Sequence, residues 1–157
     1  MINSPHPDNA GVIMFPPLLY LLVLAVGIAG SRLYPVPMLP QTIALPLGIL
    51  MLLFFFVLLF PAARIFTRNK TTVNPGGITT TIVNDGIYRY TRNPMYIAFT
   101  LFYCGVALLT QSWFCFLLLI PLLILVQKGI IKREEAYLTR KFGQEYLSYK
   151  AQVRRWI

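Results

Sequence analysis

The sequence predicts an all-α fold: an integral-membrane bundle of about four transmembrane helices with a C-terminal amphipathic helix on the cytoplasmic side. Three observations predict it. Of 157 residues, 57% are hydrophobic and only 12% charged, and the mean hydropathy is +0.64. That is enough chain for one domain, 1–157, and too apolar for an ordinary soluble one. The apolar residues gather into four runs, at about 12–30, 41–60, 95–110 and 113–131, against the roughly 20 residues that a helix needs to cross a hydrocarbon core of about 30 Å. Most charges fall in two stretches, a connector over 61–94 and a tail over 132–157. A net charge of +9 would suit nucleic acid on a soluble scaffold. Here the bases flank apolar spans, so the expected partner is the bilayer and not nucleic acid.

The first ten residues hold no basic cluster and no obvious small-residue cleavage site, so the run at 12–30 is expected to be a retained span rather than a signal peptide. Pro16 and Pro17 fall near its start, where missing amide donors cost least. The stretch 31–40, with Pro35, Pro37 and Pro40, is expected to be a short exposed turn. The second span, 41–60, is expected to end at Pro61. Arg64, Arg68 and Lys70 follow, and then a Gly/Pro/Thr-rich connector, 71–81, whose unpaired backbone cannot sit in lipid. The third run gives about 24 Å of helix. Thr110-Gln111-Ser112 breaks it, and 113–131 returns, with Pro121 expected to kink the last helix. Cys104 and Cys115 lie inside apolar runs and read as small buried hydrophobes, and lone His6 brings no metal-ligand set with it.

The connector carries five Lys/Arg, the tail from Lys128 carries eight, and the 31–40 turn carries only Arg32. The positive-inside rule then places connector and tail together in the cytoplasm, across a hairpin of the last two spans. In the tail, Tyr137, Leu138 and Phe142, then Tyr146, Tyr149 and Val153, recur at helical spacing on either side of a possible break at Gly143. With bases opposite these aromatics, the tail is expected to lie along the headgroups.

The chain shows no Ser-His-Asp set, no metal-ligand spacing and no phosphate-cradling glycine loop, and has only five acids. This suits a reaction whose difficult part resides in a bound cofactor, the protein supplying placement and electrostatics. Glu134 and Glu135 end the last span about 100° apart, so only one is expected to face the bundle. They form either a solvated helix end pairing with Lys132 or Arg133, or a carboxylate site for a ligand ammonium. Arg89 and Arg92 similarly read either as snorkelling anchors or as site cations. Asn93-Pro94 is a plausible helix start whose N-terminus favours an anion. A zwitterionic amino-acid moiety, ammonium near Glu134 and carboxylate near that terminus, would fit both ends.

Gly86-x-Tyr88-x3-Arg92-Asn93-Pro94-x-Tyr96, a hydrophobic hairpin, then Glu134-Glu135 and Phe142-Gly143-x2-Tyr146-x2-Tyr149 resembles the isoprenylcysteine carboxyl methyltransferase and phospholipid methyltransferase superfamily of membrane enzymes. The similarity covers about residues 70–157. It implies S-adenosylmethionine as cofactor, bound by Thr80, Thr81, Ile82, Val83, Tyr88, Asn93, Pro94, Met95, Tyr96 and Glu134, and a lipid-embedded or hydrophobic methyl acceptor. It assigns no catalytic residue. Two positions depart from the family pattern. Asn93 stands where the family usually has His, and Asn cannot take up a proton near pH 7. Ile130 stands where the eukaryotic isoprenylcysteine enzymes carry an Arg that contacts the substrate carboxylate. Lys128 and Arg133 are the nearest bases, and these residues with Arg92 are the candidate acceptor contacts. Two other classes stay open: a membrane scaffold whose basic tail binds anionic lipid, and a reductase-type relative that keeps the fold with another cofactor.

Overall fold

A computed structural model describes residues 8–36, 38–69, 71–72 and 76–156, all helices and connections among the described residues. His6, Pro37, Lys70 and residues 73–75 lie outside them. Three helices are long and apolar enough to cross a membrane, and a fourth apolar helix is shorter.

α1 (Pro16–Leu33) starts at the Pro16-Pro17 pair, four residues later than hydropathy alone places it. Neither proline can donate an amide hydrogen bond, so the helix begins where none is required. It also continues through Ser31, the expected opening of the turn. α2 (Gln41–Arg68) runs through Pro61, so the helix continues past the expected end of the second span. Its 28 residues make about 42 Å of helix, so its last turns project beyond a hydrocarbon core with Arg64 and Arg68. What sustains it past the proline is packing: Ala62 is fully buried against Val83 and Tyr88, with Ile65 and Phe66 alongside.

A 3₁₀ turn (Gly86–Arg89) leads to α3 (Pro94–Leu109). The Thr110–Ser112 reversal is as expected: Gln111 takes a positive φ of 53°, and Ser112 caps α4 (Trp113–Leu125) by accepting a hydrogen bond from the Cys115 amide at 3.2 Å. The helix continues through Pro121, and its departure from α geometry comes later, in a π-helical stretch at Val126–Ile131. α5 (Lys132–Phe142) follows without interruption. The break falls at Gly143, φ 53°, before α6 (Gln144–Gln152). The tail is therefore not one separate interfacial helix. α5 prolongs the last span, and α6 folds back toward the start of α3.

α2 packs along α3, while α1 packs on α4 and α3. At both seams the backbones approach through residues without side chains, as small residues permit in membranes. A Cβ on Gly27 would lie 2.6 Å from Cys115 Sγ and 3.0 Å from its Cα. A Cβ on Gly105 would lie 3.0 Å from the Gly48 carbonyl oxygen. The core between α1, α3 and α4 is built from Tyr20, Tyr103, Cys115, Leu122 and Val126.

Candidate active site

The polar clusters that flank the hairpin meet at one end of the bundle. α3 delivers Tyr96 and α5 delivers Glu134, and the Tyr96 hydroxyl donates to Glu134 Oε1 at 2.7 Å. Between them and the adjoining ends of the other helices lies a cavity of about 280 Å³, near the lower end of ligand pockets at roughly 300–1,000 Å³. Nine of the ten residues implied as cofactor contacts line it: Thr81, Ile82, Val83, Tyr88, Asn93, Pro94, Met95, Tyr96 and Glu134. Thr80 does not, and its amide donates to Thr71 Oγ1 at 3.1 Å.

The expected acceptor contacts fare differently. Arg92 lines the cavity. Ile130 does not: it is fully buried in the core shared by α1, α3 and α4, so it offers no surface to a ligand. Lys128 does not line the cavity either. Arg133 is exposed and donates to the Gly11 carbonyl at 2.7 Å. The π-helical stretch lies between the apolar span and the acid pair, and it changes which face each of these residues occupies relative to an unbroken α-helix.

Both acids are engaged, and neither pairs with Lys132 or Arg133. Glu134 faces the cavity. Burial pushes its carboxyl up to about 7, against the lowering effect of the Tyr96 hydrogen bond and helped by the nearby Glu135 charge. Glu135 meets the returning tail, which supplies a second wall. Arg155 grips it with Nε on Oε1 and Nη2 on Oε2, both at 2.8 Å, and Lys150 Nζ lies 3.7 Å from Oε2. Burial alone would raise the Glu135 carboxyl, but Arg155, Arg92 and Lys150 together hold it below its ordinary value.

Arg92 Nη1 sits 3.2 Å from Glu135 Oε1, off the direction of a hydrogen bond. Nη1 and Nε are consequently buried donors without an accepting partner, an arrangement that is costly unless an anion completes it. Asn93 is the N-cap of α3 by position, but its side chain does not cap the helix. Instead its amide donates to the Arg155 carbonyl at 2.8 Å.

The remaining walls are aromatic and apolar. Tyr88 is buried edge-on to Phe66, ring centroids 5.5 Å apart, and its carbonyl accepts from the Tyr149 hydroxyl at 2.8 Å. Burial holds the Tyr88 and Tyr149 phenols well above their ordinary value and Tyr146 at about 12, so all three remain neutral donors. The N-terminal segment ahead of α1 closes one side: the Tyr137 hydroxyl donates to Asp8 Oδ1 at 2.8 Å, and Lys141 Nζ lies 2.6 Å from the same oxygen. Phe15, Pro16, Pro17 and Tyr137 belong to the cavity wall although nothing in the sequence marked them as site residues; their role follows from chain reversals. Arg155 was hidden for another reason, since topology already accounts for a basic tail.

An apolar helical bundle with a mainly apolar cavity, bearing a few charged groups where its helices meet the charged segments, suits a membrane enzyme. The chain belongs to the phospholipid methyltransferase family, whose profile matches residues 43–145, more than half of its length. It is 36% identical over 72 residues to protein-S-isoprenylcysteine O-methyltransferase of Schizosaccharomyces pombe, a match covering 46% of this chain and 30% of that protein. It is also 36% identical over 63 residues to an uncharacterized protein of Haemophilus influenzae, covering 40% of this chain and all of that one. No solved structure gives a significant match.

Proposed function

We propose that this protein transfers a methyl group from S-adenosylmethionine to a lipid-embedded or hydrophobic acceptor at the cytoplasmic face of a membrane, as a four-span protein. The observation that carries the reading is the presence, on the wall of one cavity, of Glu134, which accepts a side-chain hydrogen bond from Tyr96, and Arg92, which is ion-paired with Glu135 but whose buried Nε and Nη1 have no hydrogen-bond acceptor. A carboxylate wall and an unsatisfied guanidinium fit the ammonium and carboxylate of an amino-acid moiety, and the volume suits a nucleoside-sized remainder. S-adenosylmethionine supplies an activated methyl on sulfonium sulfur.

The protein's part is to hold, orient and keep dry. Glu134 fixes the ammonium, Arg92 the carboxylate, and the ring of Tyr88 and the 81–83 segment border the rest. Holding both reactants in line in a water-poor cavity lowers the barrier without a strong acid or base when the acceptor is a carboxylate or thiolate. An amine acceptor would have to lose a proton. The phenols stay protonated and Glu134 is engaged by the ammonium, so an amine would have to arrive as the free base.

Access from lipid is supported by the helix arrangement. α1 and α2 flank α3 and scarcely touch each other, and between them the cavity wall is Phe15, Pro16, Pro17, Leu59 and Phe99. With Ile130 in the core and Lys128 outside the cavity, no cation stands where the eukaryotic isoprenylcysteine enzymes grip a carboxylate. A neutral, thiol-bearing or lipid-amine acceptor is therefore favoured over a prenylcysteine.

Calorimetric titration of the purified protein tests the donor site. Glu134→Gln removes a charge-assisted hydrogen bond of roughly 1.5–3 kcal/mol, so affinity for S-adenosylmethionine should fall about ten- to a hundredfold. Undiminished binding by Glu134→Gln, or no binding by the parent protein, would remove the basis of the reading. Labelled methyl donor with a lipid extract then identifies the acceptor class.

A further inference from the structure

Arg155 stands outside the cavity but touches both of its polar walls. Its guanidinium occupies both oxygens of Glu135 at 2.8 Å. Its carbonyl accepts from Asn93 Nδ2 at 2.8 Å and from Thr91 Oγ1 at 3.2 Å. The Arg92 amide donates to the Arg154 carbonyl at 3.0 Å. Trp156 anchors the same segment by donating to Gln127 Oε1 at 3.2 Å and packing against the core. The tail thus braces the loop that begins α3 against the acid step of α5.

The consequence concerns Arg92. A buried carboxylate draws whatever cation can reach it, and Glu135 has three within range: Arg92, Lys150 and Arg155. Because Arg155 meets it bidentately, the geometry that guanidinium groups prefer, Arg92 is held to an ion pair at 3.2 Å that makes no hydrogen bond, and its buried Nε and Nη1 have no acceptor. Lys150, at 3.7 Å, is too distant to replace it. From this geometry we infer that Arg155 is a positioning residue for ligand selectivity: by saturating Glu135 it stops Arg92 from hydrogen-bonding there and leaves the Arg92 donors to take the carboxylate of the bound ligand. The inference rests on the donor-site reading above. Asn93 belongs to the same device, because it holds the Arg155 backbone in place, and a side chain there with a different reach would release it.

Removing Arg155 should let Arg92 rotate fully onto Glu135, and the cavity should lose its anion site while retaining its ammonium site. The test compares binding of S-adenosylmethionine with that of its decarboxylated analogue, which keeps the sulfonium and the ammonium and lacks the carboxylate. The parent protein should prefer the carboxylated ligand by roughly ten- to a hundredfold, the range of a charge-assisted pair. Arg155→Ala should reduce this preference to within about threefold, and Arg155→Lys should leave an intermediate preference. Arg155→Ala combined with Glu135→Gln should restore it, since a neutral amide in place of the Glu135 carboxylate no longer captures Arg92.

A purely structural role would weaken both ligands by the same factor and leave the ratio intact, which would overturn the inference. A parent protein that binds both ligands equally would overturn it as well, while leaving the donor site standing. A parent that binds neither would overturn the donor reading and the inference with it. If Arg155→Ala does not fold but the double variant folds and keeps the preference, the inference holds. If neither folds, Arg155 is a fold staple and the inference is wrong.

Discussion

Glu134 and Glu135 are adjacent in the chain, and their surroundings drive them to opposite proton affinities. Glu135 has three cations around it and stays ionised. Glu134 has a neutral phenol and a neighbouring negative charge, and its carboxyl rises from 4.5 to about 7. An acid with a raised folded-state affinity binds more protons folded than unfolded across that window, so its contribution to stability falls as pH rises from about 4.5 to about 7 and is fully unfavourable above it. Glu135 acts in the opposite sense: its stabilisation is present above the ordinary carboxylate range and is lost as pH falls through its depressed folded value.

A cationic ligand reverses the balance at Glu134, because it binds the ionised form. Affinity for S-adenosylmethionine should therefore climb by up to about tenfold per pH unit below 7 and level off above it. Titrations at pH 5.5, 6.5 and 8 would show the trend, and Glu134→Gln should flatten it. A flat profile for the parent protein would mean that Glu134 does not meet the ligand's charge.

At the scale of elements, the position of the site depends on how closely the helices approach. The seam between α1 and α4 closes at Gly27, where an added Cβ meets not only the Cys115 sulfur at 2.6 Å but its Cα at 3.0 Å and its amide nitrogen at 3.1 Å. A sulfur can rotate away; a backbone has to move. Gly27→Ala should therefore destabilise the protein by about 1–3 kcal/mol, the usual cost of overpacking, and lower its thermal unfolding midpoint in detergent. Substituting Gly129 should be milder, since its added Cβ would meet side-chain atoms of Ile13, the nearest being Cδ1 at 2.5 Å. Equal losses at the two positions would mean that the α1–α4 seam can yield, and that the site is less rigidly held than these distances imply.

For the whole molecule the controlling fact is that both charged segments lie at one end. Tyr96 reaches Glu134, Tyr149 reaches the Tyr88 carbonyl, and Asn93 reaches Arg155, so connector and tail must share one side of any bilayer that the bundle crosses. Cysteines introduced at Thr71 and Ser148 should react with an impermeant thiol reagent from the same side, whereas one at Val36, in the 31–40 turn, should react from the other. Labelling of 71 and 148 from opposite sides would be incompatible with a composite site. The bases gathered at that end lead to the prediction, by the positive-inside rule, that protease protection of oriented vesicles will find it on the cytoplasmic side.

The sequence by itself determined the fold class, the four apolar helices, the reversal at 110–112 and the break at Gly143, and its motifs named ten of the 26 residues that line the cavity. Hydropathy and turn chemistry are local properties, and the motif residues 81–96 need only the hairpin to bring them opposite Glu134. Three features were decided by tertiary structure alone. α2 passes Pro61 because Ala62 is buried against Val83 and Tyr88, a contact between residues distant in the chain that outweighs one lost backbone bond. Ile130 lies in the core and Lys128 outside the cavity because the π-helical stretch at Val126–Ile131 changes the register of the helix, and no periodicity rule anticipates a local change of period. Asn93 and Glu135 are bonded to the tail because Arg155 folds back to meet them. Partner choice among buried charges depends on distances of a few ångströms between segments about 20 to 60 residues apart, which composition and spacing do not encode.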